Sequence, residues 1–416
     1  EAPLAGARAL LELDPSNRDF QLATAVALRQ SGNNLEAQKL FEKLLGDPRY
    51  GTLARKHLED MYGIEGLSQR VPPGLPRLVR PGGQRLEFRA GTRYLQRRTR
   101  SGWENFYIKG VNIGPATPGN FASDAPNLVE VYAQWLERIA QMGANAVRAY
   151  TILPPAFYRA LKRHNERGLP QLYLLQEIWL VGPQQTNFFQ AGVENEARDE
   201  VARVIDAIHG QGDLPMRKGH ASGLYVEDVS DQVLALLIGR ELEPHLVLAN
   251  NEFNSAQSTF SGTYVSLPNG NATEVWLARL LDFAAGYEQD KYNQQHPLSI
   301  VNWPPLDPLE HPSEAGLIEE FNFRKRMGEK LGDLPAVYDD NDAVSVDDAR
   351  LQPEPSFRAG LFSSYHVYPF YPDFLLHEPT LLRERDAAGP NSYFGYLKAL
   401  KDHYSKMPLL IAEYGI

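Results

Sequence analysis

Cysteine is absent from all 416 residues. Its absence excludes a disulfide framework, a thiol nucleophile and thiolate metal sites, though it does not fix a compartment. Long apolar runs are also missing: none approaches the ~20 residues of a membrane helix. Positive charge is in deficit. Lys and Arg number 42 against 52 Asp and Glu, a formal net charge of -10 with a sequence pI of about 5.6. That balance argues against nucleic acid or an anionic membrane as the main partner. No glycine-rich phosphate loop is present, and His220, His245 and His311 lack metal-ligand spacing, so neither cofactor nor metal is expected. The chain begins at Glu1 rather than Met, from which removal of a leader or a longer upstream segment is expected.

What is present suits a large α/β protein. Hydrophobic content is 43%, enough for a barrel-sized core with a smaller partner. Residues 1–65 read as helices only. Asp14-Pro15 and Asp47-Pro48 each close a helical stretch, and between them Gly32, Ala37 and Phe41 supply a tight turn, a small packing residue and an aromatic. The segment resembles one to two tetratricopeptide repeats. It reads either as a partner-binding surface or as a helical cap on the next domain. Residues 66–104 change character: Pro72, Pro73, Pro76 and Pro81 mark a linker. A β-hairpin is expected after it, with strands over 85–89 and 94–95 and a turn at Ala90-Gly91, placed to plug the bottom of a barrel.

From residue 105 to 416 strand and helix alternate. Apolar runs predict strands over 106–111 leading to Asn112, 145–150 with Arg148 inside, 171–179, 233–239, 297–303 and 360–368. The last run, 408–412, reads as a fully buried strand that ends on Glu413. Between strands, apolar residues recur at helical spacing, as in the stripe Ala197, Val201, Val204, Ile205 and Ile208, closed by Gly210. A long loop with Asn-rich patches is expected after the fourth strand. Residues 305–357 read as an acidic, proline-rich insertion with a short helix. Crossovers of this length demand parallel pairing, and burial on both faces explains why the strands do not alternate. Seven such units predict a (β/α)8 TIM barrel behind an all-α helical-repeat segment. The eighth strand is not supplied, so a longer native chain is expected.

Active sites of such barrels lie at the carboxyl ends of the strands. Polar residues expected there are Asn112, Arg148, Glu177, Arg240, Glu241, Asn302, Trp303, His366, Tyr368 and Glu413. This inventory of carboxylates, an arginine, a histidine and aromatics suits sugar chemistry. Glycosidic cleavage needs one carboxylic acid to protonate the leaving oxygen and a second carboxylate to attack or to activate water. Aromatic faces stack on the apolar C–H side of sugar rings. Trp179 and Trp303 read equally as sugar platforms or as core, and Phe370 and Tyr371 extend an aromatic lip. Glu177 reads as structural.

Three motifs in order carry a resemblance. Ile238-Gly239-Arg240-Glu241-Leu242-Glu243-Pro244 resembles the Gly-Asn-Glu-Pro motif of clan A glycoside hydrolases. Tyr365-His366-Val367-Tyr368-Pro369 is similar to their His-x-Tyr, and Ile411-Ala412-Glu413-Tyr414-Gly415 to their nucleophile motif. Gly110-Val111-Asn112 resembles their first strand end. The resemblance spans residues 85 to 416 and implies Glu241 as acid/base and Glu413 as nucleophile. Arg148 and Tyr368 would support Glu413, with His366 and Arg240 nearby. Asn112, Trp179, Asn302, Trp303 and Tyr371 are the expected substrate contacts. Arg240 departs from the family, which carries there the Asn that hydrogen-bonds the sugar 2-hydroxyl. Asn251-Glu252 restores the Asn-Glu pair and makes Glu252 a second candidate acid/base, ranked lower because the preceding run 246–248 is short.

The expectation is therefore a retaining glycoside hydrolase or transglycosylase acting on a β-linked polysaccharide, with carboxyl groups ~5–5.5 Å apart. The alternative is a non-catalytic polysaccharide-binding scaffold of a synthesis or export assembly, with a protein partner docked on the N-terminal helices. Either role belongs in the cell envelope, the periplasm or outside the cell.

Overall fold

The computed structural model describes residues 2–31, 33–62, 84–114, 117, 125–180, 187–215, 217, 219–333 and 340–415. Gly32 and the proline linker lie outside them. Four helices open the chain: α1 (Ala2–Leu13), α2 (Arg18–Gln30), α3 (Asn34–Leu44) and α4 (Gly51–Tyr62). Asn17 caps α2 by accepting from the backbone N–H groups of Asp19 and Phe20. The small and aromatic positions singled out by spacing, Ala37 and Phe41, are fully buried with Ala25, Leu28, Leu44, Ala54 and Leu58. Leu224 and Val226 pack against the same cluster, and Ser222 donates to Glu42 Oε2 over 3.1 Å. These helices thus cover the hairpin formed by Gly212–Leu214 and Gly223–Tyr225.

The central sheet has seven strands among the described residues: β1 (Gly110–Ile113), β2 (Ala146–Ala149), β3 (Tyr173–Ile178), β4 (Val233–Ile238), β5 (Leu298–Asn302), β6 (Ser363–His366) and β7 (Leu409–Glu413). Their spatial order is the sequence order, from β1 to β7, and they form a parallel, nearly closed barrel. Asn112 Nδ2, from β1, donates to Ala412 O of β7 over 3.1 Å and ties the two edge strands together. All six residues of β4 are buried, as a strand covered on both faces requires. The crossover helices are α5 (Val129–Gln141), α6 (Pro155–Glu166), α7 (Ala191–Ile208), α8 (Pro244–Phe253) and α9 (Ala272–Tyr292), the last begun by a capping box of Asn271 and Glu274. Then come α10 (Leu317–Arg326) inside the acidic insertion and α11 (Ser392–His403) before β7. No helix among the described residues is long and apolar enough to cross a membrane.

By packing, the chain forms two compact units. One holds α1–α4, α5, β2, α6 and the 212–225 hairpin; the other holds β4 to β7 with their helices and the segment 84–112.

Four expectations are corrected. The first barrel strand begins at Gly110, not 106, so Asn112 lies within β1. Phe106 belongs to what precedes it: its N–H donates to Leu95 O over 2.8 Å, and its ring meets Phe88 edge-on. The expected hairpin is a three-stranded antiparallel meander, Phe88–Ala90, Leu95–Thr99 and Gly102–Asn105. Ala90 N–H donates to Ala359 O, which anchors it ahead of β6, at the end opposite the strand tips. β7 is half-buried rather than fully buried, because it is an edge strand. Finally, the expected loop after β4 contains α8.

Candidate active site

Each side chain of the site is placed by a strand end. Gly239, at φ +116, turns the chain out of β4 where a side chain would be strained, and Arg240 and Glu241 follow. Pro244 then starts α8. His366 closes β6 and Glu413 closes β7. A register shift between Tyr365 and His366 sets His366 opposite Glu413, and Val367 N–H donates to Glu413 O over 2.9 Å. The irregularity re-aims the last side chains of β6, as bulges near sites do.

The two acids meet at this histidine. His366 Nδ1 lies 3.0 Å from Glu241 Oε1, and its Nε2 lies 3.6 Å from Glu413 Oε1. The imidazole is only 3% exposed, whereas the side chains of Glu413 and Glu241 are 16% and 40% exposed. The Tyr368 hydroxyl donates to Glu413 Oε2 over 2.9 Å. One ligand-type atom from each of Glu241, His366 and Glu413 lies within 4.8 Å of the others. Such spacing is that of a metal set. The ring, however, presents opposite nitrogens to the two carboxylates, so neither nitrogen faces a point that both share. The imidazole is hydrogen-bonded to Glu241 and lies within ion-pair range of Glu413, so it stands between the two carboxylates.

Around this centre the other expected residues divide. Arg240 does not reach toward the mouth: Nη1 donates to Glu241 O over 3.0 Å and Nη2 pairs with Glu243 Oε2 at 2.7 Å. Asn112 is exposed and bonded beside Glu413 at Ala412 O. The Trp303 indole N–H donates to Leu242 O over 3.0 Å, and its ring stacks on Tyr371 with centroids 6.0 Å apart. Tyr368, Phe370 and Tyr371 are 40%, 63% and 46% exposed, so the lip is real surface. Trp179 is 40% exposed, just past β3. Asn302 is corrected: it is 1% exposed, and its amide donates to Val346 O and the Tyr365 hydroxyl, which makes it an internal brace. Arg148 is 1% exposed, with its guanidinium 4.7 Å from the Tyr150 ring. Glu177 is wholly buried, in keeping with its structural reading. The run before Glu252 is helix α8, not a strand, and Glu252 is exposed on it.

Residue reasoning missed two residues of the insertion that hold Tyr371 in place. The Tyr371 hydroxyl donates to Asn341 Oδ1 over 2.9 Å, and Asn341 Nδ2 donates to Glu314 Oε1 over 3.1 Å. The only sequence signal was the acidic character of 305–357, which names no partner. Deeper still, burial pushes the Asp348 carboxyl up to about 8, although Ser363 Oγ donates to it over 2.6 Å.

Compared with known proteins, the chain matches no family model and no curated sequence.

Proposed function

We propose that the protein is a retaining glycoside hydrolase or transglycosylase acting on a β-linked polysaccharide. The observation that carries this reading is the approach of Glu241 and Glu413, from separate strand ends, to within 4.8 Å. Double displacement needs carboxyl groups ~5–5.5 Å apart, whereas inversion needs ~6.5–9.5 Å to admit a water. Glu413, recessed and fixed by the Tyr368 hydroxyl, attacks the anomeric carbon and forms a glycosyl ester. Glu241, the more open of the two, protonates the leaving oxygen. It then takes a proton from water, or from an acceptor sugar, as that oxygen displaces Glu413. His366 keeps the two carboxylates in register. Asn112 and the aromatic side chains Trp179, Trp303 and Tyr371 offer sugar contacts. The helices α1–α4 would dock a protein partner, and the work would be done in the cell envelope or outside the cell.

Glu413→Gln should abolish turnover while circular dichroism and the melting transition stay near wild type. Glu241→Gln should slow hydrolysis by ~10²–10⁴-fold, the usual range for general acid–base help. It should do so far less on a substrate whose leaving group needs no proton. Unchanged hydrolysis by the Glu413 variant ends the assignment, and products formed with an acceptor sugar present separate transfer from hydrolysis.

One observation favours a second reading. Arg240 stands where an amide is expected and is bound to Glu243 and to the Glu241 carbonyl. A barrel that binds glycan without cleaving it fits that substitution. Glycan binding with no adduct from a mechanism-based glycosidase inhibitor would support this reading over the first.

A further inference from the structure

The aromatic pair at the mouth is the outer end of a chain of contacts that runs into the acidic insertion. Trp303 is fixed to the carbonyl of Leu242, the residue after Glu241, and stacks on Tyr371. Tyr371 is bonded to Asn341, and Asn341 to Glu314 Oε1. The other oxygen of Glu314 is buried with no donor on it, and so is Asp373 Oδ1. These two carboxyl groups stand close enough to share one proton. Both oxygens are acceptors when ionised, so the bond exists only while one group carries a proton. Asp373 lies two residues after Tyr371, so the shared proton and the Asn341 bridge fasten the same short segment twice.

We propose that Glu314 is a positioning residue for substrate: bonded to Asp373 and, through Asn341, to Tyr371, it holds the Trp303–Tyr371 platform beside Glu241 for the sugar on the leaving-group side, and lets it go when the pair loses its proton. The idea rests on the glycosidase reading of Glu241. Burial first, and the bond to Asp373 second, push the Glu314 carboxyl up to about 8. The Asn341 amide and the Phe374 backbone N–H pull the other way without outweighing them. Asp340 and Asp342 lie in the stretch that also provides Asn341. Asp307 and His311 lie on the segment after β5, where His311 Nε2 faces Asp307 Oδ2 at 3.4 Å. Glu378 accepts from Ser313 N–H over 3.2 Å. Of these, only His311 can carry positive charge. The sign follows: a raised carboxyl is held neutral, so the link is whole at low pH and is lost as pH rises through about 8.

The test compares wild type with Glu314→Gln and Asp373→Asn from about pH 6.5 to about pH 9.5. A carboxamide donates to the remaining carboxylate at every pH, so both variants keep the link. KM for an oligosaccharide should match wild type at the acid end, and above about pH 8 it should rise several-fold in wild type only. On protein alone, the part of the tryptophan emission that Trp303→Phe removes should change through the same pH range in wild type and stay flat in Glu314→Gln. Equal KM profiles in wild type and both variants, or an emission from Trp303 that ignores pH, would overturn the proposal. If no glycan is cleaved, the glycosidase reading fails, and the emission transition still decides whether the link exists.

Discussion

Tyr368 shows how much one hydroxyl contributes at the residue scale. Its hydrogen bond to Glu413 is 2.9 Å long and its ring is 40% exposed, so removing the hydroxyl leaves little packing undone. A hydrogen bond to a charged acceptor contributes about 1.5–3 kcal/mol, and each ~1.4 kcal/mol is tenfold in rate. Tyr368→Phe should therefore lower kcat/KM by ~10–10²-fold while the melting temperature barely moves, which steady-state kinetics and calorimetry would check. A larger loss of stability than of activity would mean the hydroxyl braces the fold instead. The same scale shows what a sequence can and cannot reveal. Glu241, His366, Tyr368 and Glu413 were legible because each is a polar residue just beyond an apolar run. Asn302 looked alike, yet it faces inward to Tyr365. In a strand buried on both faces no polar alternation tells which way a side chain points. Glu314 and Asn341 were illegible because their partners, Asp373 and Tyr371, are brought near only by folding of the insertion.

Elements were easiest to recognise where glycine ends them. Gly210 closes α7 at φ +66, and a Cβ there would stand 2.8 Å from Asp228 N. Backbone, not a flexible side chain, blocks the space. Gly210→Ala should thus cost at least ~1–2 kcal/mol from the left-handed strain alone, more with the clash, as a lowered urea midpoint would report. A midpoint equal to wild type would mean the turn relaxes freely. Strand β4 was legible for the same reason it is stable, a continuous apolar run covered on both sides. β1 was misplaced because Phe106 is as apolar as a barrel residue but pairs with Leu95 of the meander. The period of a short run does not say which neighbour claims it. β7 read as fully buried because five apolar residues precede Glu413, yet its position at the sheet edge leaves it half-covered.

For the whole molecule, buried acids should govern how stability varies with pH. Two groups act on the acid side. Burial alone would raise Glu227, but hydrogen bonds from Arg159 and Lys162 outweigh it and hold it below the ordinary glutamate value. Burial likewise opposes Asp347, and its bond to His403 wins. A depressed carboxyl stabilises the fold above its unfolded pKa and loses that contribution as pH falls through the folded one. Asp348 acts the other way. It is wholly buried between β5 and β6, and burial raises it to about 8. The unfolded chain releases that proton near the ordinary aspartate value of 3.8, so its contribution is full in acid and declines as pH climbs toward about 8. Net charge of -10 adds repulsion over the same range, so a falling curve by itself would not identify Asp348. Salt separates the two causes, because it screens surface charge but scarcely reaches a buried carboxyl. Asp348→Asn should match wild type near pH 4, exceed it in urea midpoint near pH 8, and keep that difference at about 1 M salt. Parallel curves for the two proteins, or a difference that salt erases, would mean that surface repulsion sets the alkaline limit and that Asp348 is ionised inside the barrel.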